Sequence, residues 1–153
     1  MAFSNTGSSS IWMALARIAV GVMFLFFAQY KLMHKDFAHG GYEGWVKPWA
    51  ENNSLHFYRP VLSFTLKHPV FFGYATGVVE LLIGVSMLVG WWVRTFSVIG
   101  GLFMLNLTFA TWYSPPPGSP YWQYLGRELD HIPLLLLFIV FFAHQAGETL
   151  GLD

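Results

Sequence analysis

The stretch GYATGVVELLIGVSMLVGWW, residues 73–92, is apolar along almost its whole length but carries one carboxylate, Glu80, near its centre. A helix needs about 20 mostly apolar residues to cross a bilayer, because the hydrocarbon core is roughly 30 Å thick and each residue rises about 1.5 Å. The stretch therefore predicts a membrane-spanning helix. A charged residue at the centre of such a helix costs about 2.5–3.5 kcal/mol on insertion scales, so we expect Glu80 to face protein.

Small residues share the helical face of Glu80. Gly73, Gly77, Glu80 and Gly84 recur at the spacing of one face of a helix. The interval between Gly73 and Gly77 is the one that lets two membrane helices approach closely. Glu80 is therefore predicted to face a packed neighbouring helix.

The composition of the whole chain agrees with a membrane protein. Of its 153 residues, 55% are hydrophobic and 10% are charged, against roughly 25% charged in an average soluble domain. The formal net charge is zero and no basic run is present, which argues against nucleic acid as a partner. No cysteine is present, so this chain cannot form disulfides, thiolate metal sites or iron–sulfur clusters. The first apolar segment lacks a cleavage-site pattern, so no signal peptide is expected.

Three further apolar windows are long enough to cross a membrane, which predicts an all-α, integral membrane four-helix bundle. The predicted helices cover about residues 11–33, 70–91, 93–113 and 124–145, in a single membrane domain of residues 1–153. Tryptophan and tyrosine mark the ends of these windows, as the membrane interface favours. Residues 34–69 are predicted as one long interfacial loop outside the bilayer, either plain or with a short amphipathic helix near residues 55–67.

The first predicted helix carries two basic residues on one face, because Arg17, Gly21, Phe24, Ala28 and Lys31 recur at helical spacing. The first two helices are antiparallel, so Glu80 is expected at a depth between the two basic residues and somewhat nearer Arg17. Asn106 of the third helix is expected at a similar depth. The sequence thus predicts a buried polar cluster of Arg17, Glu80 and Asn106.

Two roles are open for this cluster. It either fixes the register of the helices, since buried ion pairs often add little net stability, or takes a direct part in proton-linked or quinone-linked chemistry. Contact with lipid headgroups or with a partner protein is a further alternative.

A second polar region lies at the start of the fourth predicted helix, in the run from Arg127 through Glu128 to Asp130 and His131. Histidines and carboxylates exchange protons near neutral pH, which suits the entrance of a site for a quinone headgroup. A water-solvated shell at the membrane interface explains the same residues. The candidate cofactor-binding residues are Lys31, Asn106, Asp130 and His131, and the histidines expected on the same side are His34, His39, His56 and His68.

The spacing of histidines and carboxylates in the sequence gives little support for a haem or a metal site. His131 and His144 are thirteen residues apart, but no other predicted helix supplies the facing histidines that an internal pair of bis-histidine haems requires. A single ligand from His131 or His144 to haem or a chlorophyll-type pigment stays open. No metal site is predicted, because the one candidate set has generic spacing; it consists of His34, Asp36, His39 and Glu43.

Three segments resemble the DoxX family of small four-helix membrane proteins: RIAVGVMFLFFAQYKL (17–32), GVVELLIGVSMLVGWWVR (77–94) and AGETLGLD (146–153). The family takes its name from a subunit of thiosulfate:quinone oxidoreductase. The resemblance implies a membrane subunit that passes electrons to quinone or anchors partners that do so. It places the following residues on recurring positions of the family: Arg17, Lys31, Glu80, Gly84, Gly90 and Arg94.

The sequence therefore predicts an integral membrane subunit of a quinone-linked oxidoreductase complex, which is not a self-sufficient enzyme and depends on other membrane subunits. The alternative is a non-catalytic accessory subunit of a larger respiratory or photosynthetic complex, packing against partners, lipids or pigments. A third hypothesis is a small-solute carrier or lipid-handling protein. The expected location is the bacterial inner membrane, with the long loop cytoplasmic by the distribution of Lys and Arg.

Overall fold

The apolar windows of the sequence form helices in the computed structural model, which describes residues 6–114, 117–120, 122–125 and 130–153. Every regular element in these residues is helical, which confirms the all-α class. A kinked turn, Phe37–Gly41, lies between the first two helices. The helices are α1 (Thr6–Met33), α2 (Tyr42–Asn52), α3 (Arg59–Thr65), α4 (Pro69–Val89), α5 (Val93–Thr111), α6 (Trp122–Leu125) and α7 (His131–Ala143).

Within the described residues, three helices are long and apolar enough to cross a membrane, namely Ser10–Met33 within α1, α4 and α5. They confirm an integral membrane protein and the first three predicted spans. The fourth predicted span, residues 124–145, is not confirmed. Its main helix, α7, has 13 residues and extends only about 20 Å at 1.5 Å per residue. Residues 126–129 of that window lie outside the described part of the chain.

The segment predicted as a long loop, residues 34–69, is largely helical. α3 lies within residues 55–67, where a short helix is one of the two alternatives that the sequence leaves open. α2 is not predicted by the sequence analysis, and Gly44 and Pro48 within it are the reason, because both residues disfavour helix interiors.

One face of α2 packs over the bundle. Tyr42, Val46 and Trp49 are spaced as neighbours on a helix, and they pack with Leu62 of α3 and Ala110 of α5. The segment outside the predicted spans therefore folds back against the ends of the helices as a cover.

α1 and α4 form a close antiparallel pair because glycines line their contact. A Cβ atom built on Gly21 would lie 2.6 Å from the backbone nitrogen of Leu88. A Cβ atom on Gly84 would lie 3.0 Å from the backbone nitrogen of Leu25. Larger residues at these glycines would force the two helices apart.

α5 and α7 form a second pair. A Cβ atom on Gly100 would lie 2.5 Å from the ring of Phe138, so this phenylalanine packs directly on the backbone of α5. Phe138 also meets Phe24 of α1 edge-on, with ring centroids 5.6 Å apart, and so joins the two pairs. The buried core between the pairs comprises Val20, Phe24, Ile83, Met87, Val93, Met104, Phe138, Phe141 and Ala146.

The turn between α4 and α5 is closed by residues near the other end of the sequence. Gly90 has a φ of +73°, a conformation that glycine adopts without strain at the end of a helix. Its carbonyl oxygen accepts hydrogen bonds from the backbone nitrogens of Leu152 at 2.8 Å and Asp153 at 2.9 Å. The Asp153 carboxylate accepts a further hydrogen bond from the Val93 amide at 2.8 Å, which stabilises the first turn of α5.

Candidate ligand-binding site

Glu80 is buried on the glycine-rich face of α4, as its spacing predicts. Its exposure is 3%, and Gly73, Gly77 and Gly84 are buried with it. The Lys31 ammonium donates a hydrogen bond to Oε1 of Glu80, so the two side chains form an ion pair. Among the residues that the structure describes, none donates a hydrogen bond to the buried Oε2 of Glu80. Because buried polar atoms are normally hydrogen-bonded, Oε2 is available to a ligand or a water molecule.

The predicted pairing of Glu80 with Arg17 is wrong, because the register between α1 and α4 places Glu80 nearer Lys31. A Cβ atom on Gly77, one turn before Glu80, would lie 3.1 Å from the Cβ atom of Lys31. Gly90 lies about 15 Å beyond Glu80 along the helix axis, at 1.5 Å per residue. A Cβ atom at Gly90 would overlap the guanidinium of Arg17. The two basic residues of α1 therefore have different surroundings.

The predicted cluster of Arg17, Glu80 and Asn106 does not form. The buried Arg17 donates a hydrogen bond from Nη2 to the carbonyl oxygen of Leu150 at 2.7 Å. Asn106 accepts a hydrogen bond from the Tyr58 hydroxyl through its Oδ1. Each member of the predicted cluster thus has a partner of its own, in a different part of the molecule.

The Lys31–Glu80 pair lines a cavity of about 590 Å³, which we call the head cavity. The α1–α4 pair, the α5–α7 pair and Trp49 of α2 form its wall. Asp130 and His131 line it as well, so the structure brings three of the four predicted quinone-site residues to the predicted carboxylate. The rest of the wall is apolar and consists of Met23, Phe24, Phe27, Met104, Leu107 and Leu134.

Aromatic rings hold the Lys31 side chain beside the head cavity. Its Nζ atom lies 5.3 Å from the ring centroid of Phe37 and 5.8 Å from that of Phe27, within the range of cation–π attraction. The side chain is 17% exposed, far more than that of its partner. An ammonium group has three donors and Glu80 takes one, so Lys31 can also donate to a ligand in the cavity.

Asp130 and His131 lie where α7 begins. The Thr111 hydroxyl is 3.4 Å from Nδ1 of His131. Asp130 is exposed and also borders a surface cleft of about 680 Å³ between α2 and the end of α5. The head cavity is therefore adjacent to the outside at its polar end. Arg127 and Glu128 of the same polar run lie outside the described residues.

A second cavity of about 610 Å³, which we call the aromatic cavity, adjoins the first. Phe27, Lys31, Trp49 and Leu107 line both. Asn106 lines only the aromatic cavity, so the predicted quinone-site residues are divided between two neighbouring spaces.

Trp49 is a wall residue that the sequence analysis does not single out. The signal for it is the helical spacing of Tyr42, Val46 and Trp49, which would have placed the tryptophan on the inner face of α2. The histidines expected on this side do not line either cavity; they are His34, His39, His56 and His68.

The alternative metal site does not form. In the described part of the chain, no three His, Cys, Asp or Glu side chains come together as ligands. The four residues considered for it therefore stay apart as a ligand set; they are His34, Asp36, His39 and Glu43.

The described residues contain three helices that can span a membrane and a cavity with a buried ion pair, which define a class: a helical integral membrane protein with a polar internal site. Comparison with protein families gives a match of residues 12–112 to the model for DoxX. The chain belongs to the DoxX family, whose members are membrane proteins often linked to quinone-related oxidoreduction. The match includes Arg17, Lys31 and Glu80. Comparison with curated proteins and with solved structures gave no match.

Proposed function

We propose that the chain is a membrane subunit of a quinone-linked oxidoreductase complex and that a quinone headgroup binds in the head cavity. The observation that carries this proposal is the buried Lys31–Glu80 pair, which lines a cavity and leaves one carboxylate oxygen without a partner among the residues that the structure describes. A mostly apolar cavity with a few convergent polar groups is the usual form of a small-molecule site.

The polar groups of the head cavity can bind both the oxidised form of the ligand, a quinone, and its reduced form, a quinol. The Lys31 ammonium can donate a hydrogen bond to a quinone carbonyl oxygen and stabilise the negative charge that develops there on reduction. The partnerless Oε2 of Glu80 can accept a hydrogen bond from a quinol hydroxyl. One ion pair thus offers a donor to the oxidised ligand and an acceptor to the reduced one.

Reduction of a quinone to a quinol takes up two electrons and two protons. Glu80 and His131 are the groups of the cavity that can exchange protons with the ring oxygens. Asp130, at the border between the cavity and the surface cleft, can pass protons to and from the outside. The proposal assigns the electrons to a redox partner subunit, since this chain has no cysteine to hold an iron–sulfur cluster. The proposed location is the bacterial inner membrane.

Binding of a quinone headgroup to the purified protein tests the proposal. The probe is 2,3-dimethoxy-5-methyl-1,4-benzoquinone, which has no tail, and the signal is quenching of the fluorescence of tryptophan, including Trp49 in the cavity wall. We expect Lys31→Met to weaken binding about tenfold or more, because a hydrogen bond to a charged group contributes about 1.5–3 kcal/mol. The matched control is Lys35→Met, which removes an exposed lysine outside both cavities.

Lys31→Met leaves the Glu80 carboxylate buried without its partner, which destabilises proteins. The double variant Lys31→Met/Glu80→Gln removes both charges and keeps the test valid if the single variant does not fold. Absence of binding to the wild-type protein, or equal binding by the Lys31 and Lys35 variants, would overturn the proposal.

A catalytic subunit and a non-catalytic accessory subunit predict different rates of quinone reduction when variants are assayed in the native complex. If Glu80 exchanges protons with the quinone, Glu80→Gln should lower quinone reduction by about 100-fold or more, the usual contribution of a general acid or base. Glu43→Gln, the same change at an exposed position of α2, should have no effect. An accessory subunit would keep full activity in both variants. The absorption spectrum of the same preparation tests pigment ligation by His131 or His144, and we expect no haem or chlorophyll band.

A further inference from the structure

The aromatic cavity is suited to a hydrocarbon ligand. Aromatic rings from five parts of the chain line it: Phe37 before α2, Trp45 of α2, Phe64 of α3, Phe72 of α4 and Phe103 of α5. Its volume of about 610 Å³ is similar to that of the head cavity. Walls of this composition bind apolar groups through burial and close contact.

Three of the polar side chains that line this cavity have hydrogen-bond partners. The hydroxyls of Thr65 and Thr76 donate hydrogen bonds of 2.9 and 2.8 Å to carbonyl oxygens of the preceding turn in their own helices. Asn106 accepts the hydrogen bond of Tyr58. Of the described residues that line the cavity, Lys31 alone is charged and most are apolar or aromatic, so the surface that it presents is mainly apolar and offers little to an ion or a sugar.

The charged groups lie on one side of the boundary between the two cavities. Glu80, Asp130 and His131 line the head cavity and not the aromatic cavity. Lys31 stands at the boundary and lines both. The two cavities together form a space that is polar at one end and apolar at the other, which fits one amphiphilic molecule with a compact head and a hydrocarbon chain.

The outer edge of the aromatic cavity is open. Trp45, Val61 and Phe64 line it and are also 62%, 44% and 55% exposed. These residues belong to α2 and α3, which cover the ends of the spanning helices. A chain longer than the cavity could leave between these two helices without unfolding any helix.

We propose that the aromatic cavity holds the first part of the isoprenoid tail of the quinone whose headgroup occupies the head cavity. This inference rests on the proposed function and adds to it the substrate class, a quinone with an isoprenoid tail. Lys31 then marks the junction of head and tail, with its ammonium on the ring oxygen and its methylene groups beside the tail.

Two probes with the same ring separate head binding from tail binding. One is the tailless 2,3-dimethoxy-5-methyl-1,4-benzoquinone, and the other carries two isoprene units on that ring. The measured quantity is the ratio of their dissociation constants, corrected for partition of each probe into the detergent. We expect Thr76→Phe, which fills the aromatic cavity, to reduce the preference for the tailed probe at least about tenfold, as apolar pockets discriminate even single methylene groups.

The matched control is Val78→Phe, which adds a ring to the exposed face of α4 outside both cavities and should leave the ratio unchanged. Val61→Trp fills the same cavity from α3 and replaces Thr76→Phe if that variant does not fold. Binding of the tailless probe that depends on Lys31, with no preference for the tail in any variant, would overturn the inference and leave the proposed function standing. Failure of both probes to bind would overturn both.

Discussion

The two ends of the α1–α4 pair bury charged residues in opposite ways. At one end, Nη2 of the buried Arg17 donates to the Leu150 carbonyl, while its Nε and Nη1 have no partner in the described residues. The carboxylate of the exposed Asp153 accepts a hydrogen bond from the Val93 amide at the same end. At the other end, Lys31 and Glu80 pair with each other beside about 590 Å³ of space. We call the first end filled, because protein packs closely around Arg17, although a surface cleft of about 310 Å³ borders Asp153. We call the second end hollow.

This difference shows that a charge within a spanning helix does not by itself mark a site of chemistry. Such a charge is expensive in lipid and needs a partner wherever it lies. At the filled end only Nη2 of Arg17 has a partner in the described residues, the backbone carbonyl of Leu150, and this bond holds the terminal segment against the turn after α4. At the hollow end one oxygen of Glu80 has no partner in the described residues, and the adjacent space can supply one.

The largest effect is expected from a substitution that disturbs the close packing of α1 against α4. Gly21→Ala should destabilise the folded protein by about 3 kcal/mol, because overpacking costs 1–3 kcal/mol and the new Cβ atom here meets backbone rather than a movable side chain. Thermal unfolding in detergent measures the change. Gly44→Ala is the matched control, since its Cβ atom meets nothing within 4 Å and alanine favours a helix. Equal unfolding temperatures for the two variants would contradict the close contact of α1 and α4.

The sequence predicts the three long spans because hydrophobic length alone determines them. It also predicts the face of α4 that is buried, because the glycines and Glu80 repeat at helical spacing. It does not predict α2, whose Gly44 and Pro48 weaken the local preference and whose helix depends on packing against Leu62 and Ala110. The fourth predicted span is not confirmed, because the apolar run of its window lies within the 13 residues of α7 and residues 126–129 lie outside the described part of the chain.

The sequence identifies the charged residues of the candidate site, but it does not identify which of them pair with each other. Glu80 and Lys31 are both identified from spacing and charge, yet the expected partner of Glu80 is Arg17. The choice between the two basic residues depends on a shift of a few residues between antiparallel helices. Contacts of Gly21, Gly77 and Gly84 with the opposite helix determine that shift. A single sequence gives the spacing of residues within each helix and contains no direct measure of the register between them.

A smaller effect is expected when the Asp153 carboxylate, which closes the turn at the filled end, is removed. Asp153→Ala should destabilise the protein by about 1 kcal/mol, the usual effect of removing a carboxylate that caps a helix N-terminus. Glu148→Ala, an exposed glutamate of the same segment, should change stability by no more than about 0.5 kcal/mol. If both variants unfold at the wild-type temperature, the hydrogen bond between Asp153 and the Val93 amide does not stabilise this turn.

The smallest effect on stability is expected from Tyr58, in the segment that covers the hollow end, and this effect depends on pH. Burial raises the pKa of Tyr58, and the neighbouring Tyr42 raises it further. The ordinary value for tyrosine is about 10. Above that pH the unfolded chain loses the Tyr58 proton before the folded protein does, so stability falls as pH rises toward the folded-state pKa. Below the unfolded-state pKa, this contribution is fully present and does not vary.

Tyr58→Phe removes that titration together with the hydrogen bond to Asn106, which contributes about 0.5 kcal/mol at neutral pH. The wild-type unfolding temperature should therefore exceed that of the variant near pH 7 and fall more steeply above pH 10. Tyr42 has a pKa raised mainly by its own burial, so some loss of stability at alkaline pH should persist in the variant. Parallel curves from pH 7 to pH 11 would show that Tyr58 titrates as it does in the unfolded chain. The cover would then be open to water at this point.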